Sequence, residues 1–442
     1  MDVKSTSRIR LVWFLMVTTG LLNGVARAAV PSDKIILLPS GGDTAEDTEI
    51  SRWQERVKSP LSESFHYERL GWAFVAKARR TQDAGFYKLA EATASVMESR
   101  FGPSPDSLLL RGHVLHNLHR FAEAESLART LVQQRGLAWD HALLSDCLME
   151  QGRIDEAAAA CQRAVDLRPS AESFARVAHL RWLKGDLPGA EEAMAAAMAA
   201  GSSTGPETWA WLAVRLSAYR LQAGDLAVAL RLAERADALV SDYAPAKLAI
   251  GRALLALNRT TEAVASLSRA AELNPLPEYH WWLADACRAA GDEPRAVTIE
   301  RTLSERGEAS DPRTLSLFLA TRGSDARRAV GLAEAETAAR GDVFTHDAVA
   351  WARYAAGDIP GAVRALAPAR AAGTRDARLL LHAGVIAAAT GDTGEAKAHF
   401  EAARAAAGSL TPSERRLLAE HTQALASRSG ATADPSPFLV GN

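Results

Sequence analysis

Cysteine is nearly absent from this 442-residue chain, which has only Cys147, Cys161 and Cys287. So small and odd a number excludes a disulfide framework and reads as buried free thiols, since Cys behaves as a small hydrophobe. Excess charge is missing too. Lys and Arg number 51 against 53 Asp and Glu, a formal net of −2, so no global positive field draws nucleic acid. After the N-terminus, no stretch approaches the roughly 18 uninterrupted apolar residues of a membrane-spanning helix. Glycine (30) and proline (18) are ordinary, which excludes collagen-like or low-complexity character. The chain lacks G-x-S-x-G, the phosphate loop G-x-x-x-x-G-K-S/T and H-E-x-x-H, so the common nucleophile, phosphate and zinc signatures are missing. The expectation is no enzyme and no cofactor. Alanine is what abounds, at 90 residues, and with Leu, Arg and Glu it points to helix.

The first residues carry an address. Lys4, Arg8 and Arg10 precede the apolar stretch Leu11 to Leu22, and Ala26-Arg27-Ala28 follows. A positive start, a short apolar core and an A-x-A ending mark a secretory signal peptide, 1–28. The apolar core falls short of the roughly 20 residues needed to span a bilayer. Cleavage predicts a mature start at Ala29 and a periplasmic or secreted location. The remainder carries 47 basic and 52 acidic residues, a net of −5.

The body of the chain repeats. Leu108 to Leu131, Lys247 to Pro275 and Leu379 to Ala405 share a Gly followed twelve residues later by Ala: Gly112 and Ala124, Gly251 and Ala263, Gly384 and Ala396. Small residues at that spacing suit two antiparallel helices where they cross. Between the helices stand turns such as Gly152-Arg153, Gly185-Asp186, Gly291-Asp292 and Gly357-Asp358. Glycine there ends one helix in the left-handed region and the next residue caps the following one.

Small residues at repeat positions 8, 20 and 27 with Pro at 32 resemble the tetratricopeptide repeat. From Ala244 as position 1, Gly251, Ala263, Leu267, Ala270 and Pro275 fill the pattern; from Ala377, Gly384, Ala396, Phe400 and Ala403 do so. The resemblance implies an all-α fold: a right-handed superhelical solenoid of about ten antiparallel helix pairs over 63–426 with a C-terminal capping helix. Thr411-Pro412-Ser413-Glu414 opens that last helix as a capping box, with Arg415, Arg416, Glu420 and His421 expected in solvent. Residues 29–62 read as an irregular acidic linker and 427–442 as a disordered tail.

By the same resemblance, positions 2, 5, 9, 12 and 13 of each first helix line a concave groove that binds peptides. The register lays Trp139, His179, Trp182, Trp211, Arg252, Trp281, Asp285, Arg288, Trp351 and Tyr354 on it, together with Trp72, Arg79, His113, His116, Asp146, Phe344 and Asp347. Six of the nine tryptophans after residue 28 fall there, where roughly one is expected by chance. The function implied is an exported scaffold or adaptor holding a protein or peptide in its groove. Two alternatives are open. A polysaccharide suits stacking on Trp. A metal-carrying chaperone would use His113, His116 and His179, the first two sharing one helix face.

Overall fold

The computed structural model describes residues 32–39, 41–81, 83–201 and 205–431. The expected signal peptide lies outside them, as do residues 432–442 of the tail. Every regular element among the described residues is helical. Two helices come first, α1 (Ser32–Ile35) and α2 (Ala45–Lys58). Antiparallel pairs follow: α3 (Ser64–Thr81) with α4 (Ala84–Phe101), α5 (Pro105–Asn117) with α6 (Phe121–Gln134), and α7 (Ala138–Glu150) with α8 (Ile154–Leu167). Next are α9 (Ala171–Leu183) with α10 (Leu187–Ala200), α11 (Pro206–Gln222) with α12 (Leu226–Leu239), and α13 (Ala244–Ala256) with α14 (Thr260–Leu273). Then come α15 (Pro277–Ala289) with α16 (Glu293–Ser310) and α17 (Pro312–Arg322) with α18 (Ala326–Glu336). Last are α19 (Val343–Ala355) with α20 (Ile359–Arg370), α21 (Ala377–Thr390) with α22 (Thr393–Ala405), and the closing α23 (Pro412–Ala431). This is the all-α helical-repeat fold that the sequence pattern implies.

The small residues do what their spacing requires. One alanine in each second helix from α6 to α22 is wholly buried, from Ala124 to Ala396 and including Ala329 of the weakest unit. A side chain on Gly251 would run into Leu267, and one on Gly384 into Phe400. Where serine replaces that glycine, its hydroxyl donates to the backbone of the facing alanine. Ser145 reaches the Ala157 carbonyl at 2.8 Å, Ser217 the Ala229 carbonyl at 2.8 Å and Ser316 the Ala329 carbonyl at 2.7 Å. A buried hydroxyl is thereby satisfied at the crossing.

The two ends differ from the sequence reading. Residues 29–62, expected to be irregular, contain α2. Its start is a capping box in which the Asp47 amide donates to Thr44 Oγ1 and the Thr44 amide to Asp47 Oδ2. Asp47 also pairs with Lys77 at 2.5 Å, and Ile50, Gln54 and Val57 bury one face against the first pair. The acidic composition that suggests a linker is the cap of a helix. At the other end the expected capping box forms, with the Thr411 amide donating to Glu414 at 2.8 Å. The helix it opens continues past the expected end, to Ala431. Arg415, expected in solvent, is partly buried. Its guanidinium donates to the Leu255 carbonyl at 3.3 Å, and burial lowers its pKa.

That last contact belongs to a larger closure. Successive first helices touch one another, α3 to α5, α5 to α7, α11 to α13, α17 to α19 and α19 to α21, which puts them inside the curve. The ribbon therefore has two edges, one made of the turns within pairs and one of the junctions between pairs. The turn edge of the early pairs meets the junction edge of the late ones. Thr374 donates to the Leu183 carbonyl, 191 residues away, and Gln222 to the Arg375 carbonyl at 2.6 Å. The Gly341 amide donates to the Glu150 carbonyl at 3.2 Å. Ser413 donates to Asp285 through its amide at 3.0 Å and its hydroxyl at 2.5 Å. Glycine makes the approach possible, because a Cβ on Gly152 would stand 2.1 Å from the Gly341 oxygen and one on Gly185 2.4 Å from the Gly373 oxygen. The superhelix is wound until its turns touch.

A Cβ at Gly341 would lie 2.9 Å from the Gln151 carbonyl oxygen. Gly341→Val should therefore part the turns, costing on the order of 1–3 kcal/mol by overpacking. The radius of gyration from X-ray scattering should rise while helical circular dichroism stays constant. An unchanged radius would mean the seam does not hold the winding.

Candidate functional site

The residues expected in the groove separate into three groups. Trp281, Asp285 and Trp351 are buried, at 1%, 1% and 3% exposure. His179, Trp182, Arg252, Arg288 and Tyr354 are half-buried. Trp139 and Trp211 are exposed, at 44% and 39%. Of these two, Trp139 lies over the α8–α9 junction with Arg168, Ser170 and Ser173, and so borders the edge of the ribbon.

The burial has a physical cause. Inner-face residues of each pair bond to those of the next, so the face is largely satisfied by itself. Arg79 bonds to His113 Nε2 at 2.9 Å, Arg176 grips both oxygens of Asp146 at 2.8 Å, and Arg215 donates to His179 Nδ1 at 3.1 Å. Further along, Arg322 pairs with Asp285, Asp347 with His382 Nδ1 at 3.0 Å, and Arg378 with Glu414. Partners in this ladder are 30 to 37 residues apart, one repeat on. Aromatic rings fill the gaps. Trp351 stacks on His382 at 4.1 Å, the Arg378 guanidinium lies 4.9 Å from the Trp281 ring, and Trp182 stacks on Phe344 from the next turn at 5.6 Å. Trp281 and Trp351 are thus core, corrected from open ligand anchors because the second turn and its own neighbours cover them.

Electrostatics divide the ladder. Asp285 receives Arg322, Arg288 and the N-terminus of α23, so its charge is compensated from three sides. Arg215 differs: it donates to the neutral His179, and no carboxylate lies at ion-pair distance among the described residues. Burial and then the Arg215 charge push His179 down to about 3. Burial and the Arg79 charge likewise hold His113 well below its usual value. Because Nε2 of His113 accepts from Arg79, it is engaged and unavailable to a cation without losing that bond. His113 and His116 gather no third ligand among the described residues. The cysteines are buried free thiols, and burial raises Cys161 to about 11, so it is an inert hydrophobe.

Sequence reasoning finds one partner in most rungs of the ladder and misses the other. Arg176, Arg215, Arg322 and His382 each stand about one period from their partner in the expected groove, a signal present in the spacing. Ser413 carries none, because nothing local places it beside Asp285.

Unfolded His179 takes up a proton as pH falls below about 6.5, whereas the folded residue does so only near 3. Between those values the unfolded state binds more protons, so stability should fall as pH is lowered. His179→Gln should flatten the decline of melting temperature between neutral pH and mild acid. An identical slope in both proteins would show that His179 does not cause it.

No curated protein matches the chain in sequence. Among solved structures, a thermophilic TPR protein of Thermus thermophilus is 19% identical, with 44% of this chain and 100% of that one covered at a TM-score of 0.39. Yeast Tom70 is 14% identical over 88% of this chain and 94% of its own, TM-score 0.38. The human IFIT1 dimer with PPP-AAAA is 12% identical over 84% and 98%, TM-score 0.46. The family model described as tetratricopeptide repeat matches residues 109–172 and 248–309. Over those residues the chain matches the tetratricopeptide repeat, and crossings built on buried small residues recur in the same form from Ala124 to Ala396.

Proposed function

We propose that this is a non-catalytic scaffold that holds an extended protein segment against the inner face of α9 and α11, and that it works after export. The observation carrying the reading is Trp211. It is 39% exposed, one helical turn from Arg215 on the same face of α11, where the ladder leaves a guanidinium without a carboxylate. Trp209 points the other way, its ring 4.5 Å from the Arg235 guanidinium on α12. An aromatic anchor next to an uncompensated cation suits a peptide with an apolar and an acidic side chain. The polysaccharide reading needs a row of open tryptophans, and two of its members, Trp281 and Trp351, are buried. No helix among the described residues is long and apolar enough to cross a membrane.

A photo-crosslinker in place of Trp211 should capture the partner. Trp211→Ala with Arg215→Ala should weaken its binding at least about tenfold, or 1.4 kcal/mol, with melting temperature nearly unchanged. Binding that survives the double change would place the partner elsewhere. Export is tested separately. N-terminal sequencing of protein recovered outside the cytoplasm should begin at Ala29, and cytosolic protein retaining Met1 would overturn that part.

A further inference from the structure

The seam joins a turn edge to a junction edge, and the molecule has one of each left over. The junction edge of the first four pairs has no earlier turn beneath it. The turn edge of the last three pairs has no later turn above it. Large apolar side chains concentrate on the first of these. Among the described residues eleven are exposed, and six sit within three residues of helix ends on that edge: Leu61, Phe65, Phe101, Leu137, Trp139 and Leu167. No comparable group lies on the junction edge of the later pairs, which the seam covers.

Repeat position sharpens the contrast. Phe344 is the second residue of α19 and is covered in the seam by Trp182, the twelfth of α9. Trp139 is likewise the second residue of α7, yet it stands 44% exposed, and Phe65, on the N-terminal extension of the longer α3, is 45% exposed on the same edge. The twelfth residue of α19, the place Trp182 holds in α9, is Tyr354, half-buried and stacked on Trp351 at 5.1 Å. Around it the turn glycines Gly323, Gly357 and Gly391 face open space, as do Gly224 and Gly291 of the fifth and seventh pairs, whereas Gly152 and Gly185 of the seam abut backbone.

We propose that a second copy of this chain covers these edges, so that the protein associates head to tail and continues its own superhelix. The contact has the form of the seam already present within each molecule. It sets Phe65 and Trp139 of one copy against the Tyr354 region of the next. Charge agrees with the pairing. Arg100 and Arg168 stand exposed on the junction edge without an ion pair among the described residues. The opposing turn edge carries the capping aspartates Asp325, Asp358 and Asp392. Two junction edges face to face would instead set those arginines against like charge. Helices α2 and α23 cover the two end faces of the stack and leave the late turn edge clear, since α23 begins over the sixth and seventh pairs at Leu255 and Asp285. A contact between unlike edges that continues the superhelix advances along its axis and does not close into a ring, so growth is open-ended. The proposal stands apart from whatever the inner face binds.

Sedimentation of the full chain tests it. The mass of the wild-type protein should rise with concentration and pass beyond a dimer. Trp139→Asp blocks the junction edge and Ala356→Arg the turn edge. Each should remain monomeric, its dissociation constant raised at least about tenfold, with helicity and melting temperature as in the wild type. Mixed, the two should form a one-to-one pair and stop, because each retains the edge the other lacks. A wild type that stays monomeric throughout would overturn the proposal. So would self-association of Ala356→Arg alone, or two folded variants that do not pair.

Discussion

Backbone meets backbone where Gly152 faces Gly341 and Gly185 faces Gly373, and the arrangement of the inner face depends on that approach. A methyl group at Gly152 or Gly185 would stand within 2.4 Å of a carbonyl oxygen, so the turns touch only because these positions carry no side chain. Once they touch, the concave face is no longer a broad open groove. Trp182 finds Phe344, Arg415 reaches the Leu255 carbonyl, and Ser413 reaches Asp285. The tight winding converts a surface into an interior.

That conversion explains the chemistry of the inner face. Charged groups inside a low-dielectric space need partners, and the repeat supplies them at a fixed distance along the chain. Asp285 is nearly without solvent exposure, yet two guanidiniums and a helix N-terminus converge on it. His382 bonds to Asp347 through Nδ1 beneath a stacked indole. Toward α9 and α11 the compensation is less complete. Arg215 leans on a neutral imidazole, and beside it Trp211 is open. Function is sought where the self-pairing runs out.

The helices, the crossings and the capping box at Thr411 are legible in the sequence, because each rests on contacts within one repeat. Ala263, Gly251 and Gly384 lie in the cores of their own pairs, and their spacing alone places them. The seam is hidden, because it joins residues 128 to 191 apart, and the period of one repeat says nothing about where the next superhelical turn falls. Hence the repeat register puts Trp281 and Trp351 on the inside of the curve, as the structure does, but gives no sign that they are covered there. The glycines at 341 and 373 lie outside the repeat pattern and are the visible trace of that second layer of contact. At Thr44 and Asp47 the three-residue spacing is a stronger signal than the acidic charge around it.

A linear array of repeats folds as a chain of neighbours, each unit stabilised by the one beside it, so any end can fray without disturbing the rest. The junction of Asp285 with the first turn of α23 changes that logic. It ties the last helix to a pair far upstream, and with Arg378 and Glu414 it draws three separate stretches into one buried cluster. Such pairings add loop-closure entropy to the folding barrier and raise contact order above that of an open solenoid. In return, local fraying at the C-terminus must break bonds held in the middle of the molecule. These bonds close the second half of the chain into a ring, whose last helix is held by the middle of the molecule as well as by its own neighbour.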